Sequence, residues 1–171
     1  IAIDAGYLAA VPQMRSLISS HTWRGLMRFV AGYDAEPLYY IQSILKQQSD
    51  APPDPQTALH ADAFHPSMKA WFFLKDVAED AGPFTYVPGS HRLTPQRLEW
   101  EKAKSIALPE DGDVLSARGS LRVEEGELAS LGYGPPQALA VPANTLVVAD
   151  TFGFHARGPS AGSLSRVEIW A

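Results

Sequence analysis

The sequence contains no cysteine. That absence excludes a disulfide framework and every thiolate metal site, so a bound metal must be held by histidine, aspartate or glutamate. It also suits a reducing compartment, and a cytoplasmic location is the expectation. Basic residues are few: 14 Lys and Arg stand against 19 Asp and Glu, a net charge of −5. With no dense Lys/Arg stripe, no nucleic-acid partner is expected. No apolar run approaches the roughly 18–20 residues that span a bilayer, so no membrane association is expected either. The mildly apolar opening from Ile1 to Val11 lacks the basic start and cleavage pattern of a signal peptide. An initiator methionine is missing, and the chain stops at Ala171 inside what reads as a strand. The expectation is a natural protein that continues at both ends.

What is present describes one globular domain over 1–171, with 46% apolar and 19% charged residues. Apolar positions Met14, Leu17, Ile18, Leu26, Met27 and Val30 predict helical structure over 12–31, with Gly32 as its stop. The aromatic and β-branched run Pro37 to Lys46 predicts a strand, followed by a proline-rich loop from Gln47 to Gln56. Further strands are expected near 57–62, 68–76, 83–87, 137–141, 145–149 and 164–171. Between them, Gln96 to Lys104 and Glu124 to Leu131 predict helices, and Ala107 to Gly119 a loop. Short strands at close intervals, punctuated by turns, give a mainly β architecture: an antiparallel jelly roll with helices outside it. The long stretch near 105–136 reads as a lid-like insertion that shapes a substrate pocket.

The chemistry begins at Leu59-His60-Ala61-Asp62-Ala63. Side chains two apart on a strand share a face, so His60 and Asp62 project together. An imidazole beside a carboxylate forms two thirds of a two-His, one-carboxylate facial triad, which leaves positions on iron open. His155, directly after the strand Thr145 to Ala149, is the best third ligand in the chain. Eleven positions later, Arg166 shares a strand face with Glu168 and Trp170. An arginine turned into a barrel is costly unless it meets an anion, and its fork matches a carboxylate. Taken alone, Arg166 has a plain alternative, an ion pair with Glu168 or Glu36.

The ordered set His60-x-Asp62, Trp71-x-x-Leu-x-Asp-Val77, Gly82-Pro-x-x-Tyr-Val-Pro-Gly-Ser-His-Arg92, His155 and Arg166 resembles the phytanoyl-CoA dioxygenase family. The likeness runs from about Tyr39 to Trp170, and is poorest over 105–136. It implies a double-stranded β-helix that uses Fe(II), 2-oxoglutarate and dioxygen (O2) to oxidise a small molecule, releasing succinate and CO2. Carried over by position, it implies His60, Asp62 and His155 as iron ligands and Arg166 as the partner of the co-substrate carboxylate. Trp71 matches a position lining the co-substrate pocket, and Gln42 is a candidate for the same pocket. A basic residue that family members often supply from a longer N-terminal region has no counterpart here. Asp62 stands where halogenating relatives carry a small residue, so hydroxylation is the expected outcome.

Other polar residues invite blander readings. His65, three positions past Asp62, belongs on the opposite face; His91 lies in a turn, and His21 reads as a surface residue. Asp76, Glu79 and Asp80 form an acidic hairpin connection without calcium-loop spacing. Arg118 and Arg122 read as loop arginines. Two rival functions stay open: a cupin-type metalloenzyme that uses no 2-oxoglutarate, and a non-catalytic jelly-roll module. Substrate identity, use of an acyl-CoA and oligomeric state are not encoded in any pattern found.

Overall fold

The computed structural model describes residues 1–34, 36–44, 54–62, 67–111, 114–160 and 166–171, with side chains throughout except at 109–111. Three helices open the chain: α1 (Ala5–Ala10), α2 (Pro12–Ile18) and α3 (His21–Ala31). The strands β1 (Tyr40–Ile44), β2 (His60–Asp62), β3 (Met68–Phe73) and β4 (Phe84–Tyr86) follow. Then come α4 (Pro95–Asp111), α5 (Val114–Ala117), β5 (Ser120–Arg122) and α6 (Glu125–Ser130). Four strands close the described chain: β6 (Gln137–Leu139), β7 (Thr145–Asp150), β8 (His155–Arg157) and β9 (Arg166–Trp170).

The strands form two sheets, ordered β1-β9-β3-β7 and β5-β2-β8-β4-β6. Every pairing is antiparallel. This is the expected jelly roll. Alternation along each strand sorts its side chains between the interior and an outer helical layer. On β3 and β9, Ala70, Phe72 and Ile169 face out and pack with Ile18, Trp23 and Met27 of α2 and α3. Trp71 and Phe73 face in and meet Phe84 from the second sheet. On that sheet Ala61 and Phe154 face out, against Leu128 and the Trp100 ring of α6 and α4. His60 and Asp62, flanking Ala61, are thereby turned toward the interior.

Local signals set the helix ends, and of these the stop at Gly32 is the expected one. The predicted helix over 12–31 is divided at Ser19–Ser20, because the Ser20 hydroxyl accepts from Trp23 N and starts α3 as its N-cap. Gly32 ends α3 in the left-handed region at φ 74°. Glu124 and Glu127 form a reciprocal capping box at α6.

Several elements depart from expectation. The opening segment forms α1, capped by the Asp4 carboxylate, which accepts from Tyr7 N. The loop expected over Ala107–Gly119 is largely helical, because α4 continues to Asp111 and α5 covers Val114–Ala117. Pro109 lies near the end of α4, where it removes one backbone donor without ending the helix. The strands β5 and β8 are only three residues long, too short for a periodic signal. β5 lies within the stretch expected to form a lid, yet it pairs with β2, Arg122 opposite His60. Part of that stretch is therefore an edge of the sheet that carries His60 and His155.

Arg97 on α4 is completely buried. Its guanidinium donates to the carbonyls of Ser90 (2.9 Å) and Phe152 (3.0 Å) and lies 3.9 Å from the Phe154 ring centre. The Ser90 hydroxyl donates to Val87 O and accepts from Phe154 N. Together they tie the turn after β4 to the segment entering β8. Arg97→Met orphans those two buried carbonyls and leaves Glu101, whose carboxylate lies 3.5 Å from Arg97 Nε, without its cation; it is expected to lower unfolding free energy by about 3 kcal/mol. Urea denaturation checks this, and an unchanged midpoint would show that the tie carries no stability.

Candidate metal centre

β2 and β8 are neighbours in one sheet, with His60 directly opposite His155. Their rings lie 4.3 Å apart between centres. The Asp62 carboxylate reaches both: Oδ1 is 3.8 Å from His60 Nε2, and Oδ2 is 3.5 Å from His155 Nε2. One ligand atom from each of the three residues falls within a 4.8 Å span. The three ligand candidates read from the sequence are thus brought together by a single strand pairing.

Each imidazole is tied back through its other nitrogen. His60 Nδ1 lies 2.8 Å from Ala58 O, and His155 Nδ1 lies 2.9 Å from Gly153 O. A carbonyl only accepts, so each Nδ1 carries a proton there and each Nε2 is left as the atom a metal would take. His60 Nε2 is buried and has no hydrogen-bond partner among the described residues. Burial, helped by the nearby His155, pulls the His60 pKa down to about 4, so the ring is neutral at physiological pH. Burial pushes the Asp62 carboxyl up, but hydrogen bonding from His155 and the Lys69 charge outweigh it, holding the group well below the usual range. Two imidazole nitrogens and one carboxylate oxygen fit a divalent borderline cation.

Lys69 was not anticipated. Its Nζ lies 2.5 Å from Asp62 Oδ2, bridging from β3 in the opposite sheet. The signal was available, since Lys69 stands two before Trp71 and so shares its inward face.

Beside the three ligand candidates lies a cavity of about 290 Å³ between the sheets. Gln42, Lys69, Trp71, His155, Arg166 and Trp170 line it. The sequence-derived pocket residues Gln42, Trp71 and Arg166 therefore share one space with His155. Two larger hollows, of about 340 and 460 Å³, are lined mainly by apolar side chains, with no such gathering of ligands.

Arg166 is buried and does meet an anion in the structure, the fully buried Glu168 of its own strand. Nη2 donates to Glu168 Oε1 at 3.1 Å, Nε lies 2.8 Å from Oε2, and Nη1 donates to Gly82 O. Glu36, the other acid considered, pairs with Arg24 instead. His65 lies outside the described residues. His91 and His21 are exposed, away from the three ligand candidates. Asp76 accepts from Ala143 N, bracing a loop connection. Arg122 donates to Ala58 O, the carbonyl that also holds His60.

Gly153 is fixed by contact. A Cβ there would lie 2.0 Å from the Tyr86 hydroxyl, which donates to Asp150 O at 2.9 Å. Gly153→Ala therefore has to displace the carbonyl that orients His155, or the Tyr86 ring. We expect about 1–3 kcal/mol of destabilisation with a parallel loss of metal affinity. Thermal unfolding with and without metal separates the two effects.

The family model described as phytanoyl-CoA dioxygenase matches residues 10–123, more than half of the chain. This chain belongs to the phytanoyl-CoA dioxygenase family. The match contains His60 and Asp62 but ends before His155 and Arg166, which the fold supplies. Solved structures share the architecture. The non-haem α-ketoglutarate-dependent epimerase SnoN of nogalamycin biosynthesis is 22% identical, with a TM-score of 0.60 over 99% of this chain and 59% of its own. HygX from Streptomyces hygroscopicus, solved with nickel and 2-oxoglutarate, is 16% identical, with a TM-score of 0.53 over 95% of this chain and 66% of its own. EctD from S. alaskensis, solved with iron, is 13% identical, with a TM-score of 0.53 over 95% of this chain and 52% of its own. This member of the family thus spans about three fifths of the epimerase it resembles. No curated protein matches its sequence. None of its described helices is long and apolar enough to cross a membrane.

Proposed function

We propose that this chain is the catalytic jelly roll of an Fe(II)- and 2-oxoglutarate-dependent oxygenase that hydroxylates a small organic molecule. The reaction takes R–H, O2 and 2-oxoglutarate to R–OH, succinate and CO2. One oxygen atom goes to the substrate and the other to succinate, so the two-electron oxidations of the ketoacid and of the substrate together balance the four-electron reduction of O2. The supporting observation is the convergence of His60, Asp62 and His155 within 4.8 Å, with each imidazole Nδ1 tied back to a backbone carbonyl. Fe(II), when bound, supplies the activation of O2 at the expense of the ketoacid.

The chain's own residues do the remaining work. His60, Asp62 and His155 hold the metal on one face and leave the other open. Lys69 keeps the Asp62 carboxylate ionised and oriented. Arg166 offers its fork to the distal carboxylate of 2-oxoglutarate. Trp71 and Phe84, with ring centres 4.3 Å apart, wall the cavity against water. The Gln42 amide, at the cavity wall, is placed to hydrogen-bond the co-substrate. A carboxylate at position 62 takes the place a halide ligand would need, which favours hydroxylation over halogen transfer. The stretch near 105–136, apart from β5, is the part of the chain we assign to shaping the substrate pocket.

One observation favours a second reading, a jelly-roll metalloenzyme that uses no ketoacid: Arg166 already has Glu168 as its counter-ion. Anaerobic loading with Fe(II), then 2-oxoglutarate, decides between them by visible absorption. A weak metal-to-ligand charge-transfer band, lost in His155→Ala and diminished in Arg166→Ala, is the expected result. Bound iron without a band moves the ketoacid-free enzyme to first place. A band without succinate release on substrate screening points to a non-catalytic module.

A further inference from the structure

We propose that Glu168 is a positioning residue that holds the Arg166 guanidinium in the orientation that selects 2-oxoglutarate by length; this rests on the ketoacid reading above. A guanidinium has five N–H donors. The Glu168 carboxylate occupies one side of it, through the Nη2 hydrogen bond at 3.1 Å and the Nε contact at 2.8 Å. The Gly82 carbonyl takes one N–H of Nη1. Each terminal nitrogen therefore keeps one N–H unspent among the described residues. Those two N–H groups are donors left for a ligand carboxylate to bridge.

Placement supports the same division of labour. Arg166 lines the 290 Å³ cavity, whereas Glu168 is fully buried and does not. Glu168 sits opposite Gln42 on β1 and Phe73 on β3, locked within the sheet. The Phe73 ring lies 5.6 Å from the guanidinium carbon. An arginine left to itself carries a large rotamer entropy, and ordering it on ligand binding lowers affinity. Anchoring removes that cost and fixes the distance from the fork to the metal ligands. A ketoacid must span that distance with a set number of methylenes. Glu168 does not touch the ligand; it acts through Arg166.

Two physical effects of removing Glu168 have opposite signs, which makes the test sharp. Losing the anchor weakens the ketoacid. Losing a competing negative charge strengthens it. The protein loaded with manganese(II), in place of iron so that work in air is possible, is titrated calorimetrically with 2-oxoglutarate and with the longer 2-oxoadipate. Glu168→Gln, which keeps one acceptor for Nη2, is expected to bind 2-oxoglutarate about tenfold more weakly, and Glu168→Ala weaker again. Preference for 2-oxoglutarate over 2-oxoadipate narrows in the same order, while manganese affinity stays unchanged. A general loss of structure would lower metal affinity and leave the preference as it was. If Glu168→Ala does not fold, the isosteric Gln variant decides alone. Binding by Glu168→Gln as tight as wild type or tighter overturns the inference and makes Glu168 a plain counter-charge. If the wild-type protein binds manganese but neither ketoacid, the ketoacid reading fails and this inference falls with it.

Discussion

His155→Ala is expected to reduce Fe(II) affinity by more than a hundredfold and to abolish turnover. Losing a group that merely orients a ligand typically costs 10–100-fold in metal affinity or activity, and losing the ligand itself exceeds that. Nothing nearby can substitute. Among the described residues, only His60 and Asp62 join His155 in a ligand cluster, and alanine leaves a gap in one coordination direction. Deleting the ring also removes its contacts with His60 and Phe84, so some destabilisation accompanies the loss. His155→Gln separates the two effects, because it preserves volume while supplying a poor ligand. Equilibrium dialysis against Fe(II) under anaerobic conditions is the direct measurement. Binding within tenfold of wild type in both variants would remove His155 from the coordination sphere.

Arg166→Ala is expected to have the largest effect on stability, and that effect should depend on pH. The substitution leaves Glu168 fully buried without its cation, and removing one partner of a buried pair costs about 3–5 kcal/mol. Burial already pushes the Glu168 carboxyl up, against the pull of Arg166. Without that pull it rises further. A carboxyl whose folded pKa lies above the unfolded value carries no relative penalty at low pH. Its destabilisation appears as pH climbs past the ordinary glutamate value of 4.5 and grows until the folded pKa is passed. Arg166→Ala should therefore be closest to wild-type stability in acid and furthest from it above neutrality. The double variant Arg166→Ala/Glu168→Ala removes both charges and should recover much of the stability, without regaining ketoacid affinity. Urea unfolding across pH tests the first claim, and 2-oxoglutarate titration of the folded double variant tests the second. A single variant with pH-independent loss would show that Glu168 finds another cation.

Much of the proposed centre was legible because strands read in steps of two. His60 and Asp62 flank Ala61, and the buried Ala61 packs against the helical layer, which forces its neighbours inward. The same parity places Arg166, Glu168 and Trp170 on one face of β9. The stop at Gly32 was local enough to be read from adjacent residues, whereas the Ser20 cap that divides the helix was passed over. Lys69 obeyed the same parity and was passed over, because a lysine on a strand is ordinarily a surface residue.

Other features have no local signature. β5 and β8 are three residues each, and β5 becomes a strand by pairing with β2 across more than 50 positions of chain. Residue order could offer Arg166 either Glu36 or Glu168 as a partner; packing settled on Glu168, since Glu36 lies at the surface with Arg24.

Composition, motif order and strand parity were enough to specify a cysteine-free jelly roll, a two-His, one-carboxylate set and an inward arginine. These depend on residue type and on the two-residue repeat of a strand, both of which are local. Only the folded chain decided that His60 lies opposite His155, that Lys69 bridges the sheets to Asp62, and that Arg166 shares its guanidinium with Glu168. Those facts depend on which strands pair and how two sheets stack. That is settled by burying apolar surface across the whole domain, a balance to which no short stretch of sequence holds the key.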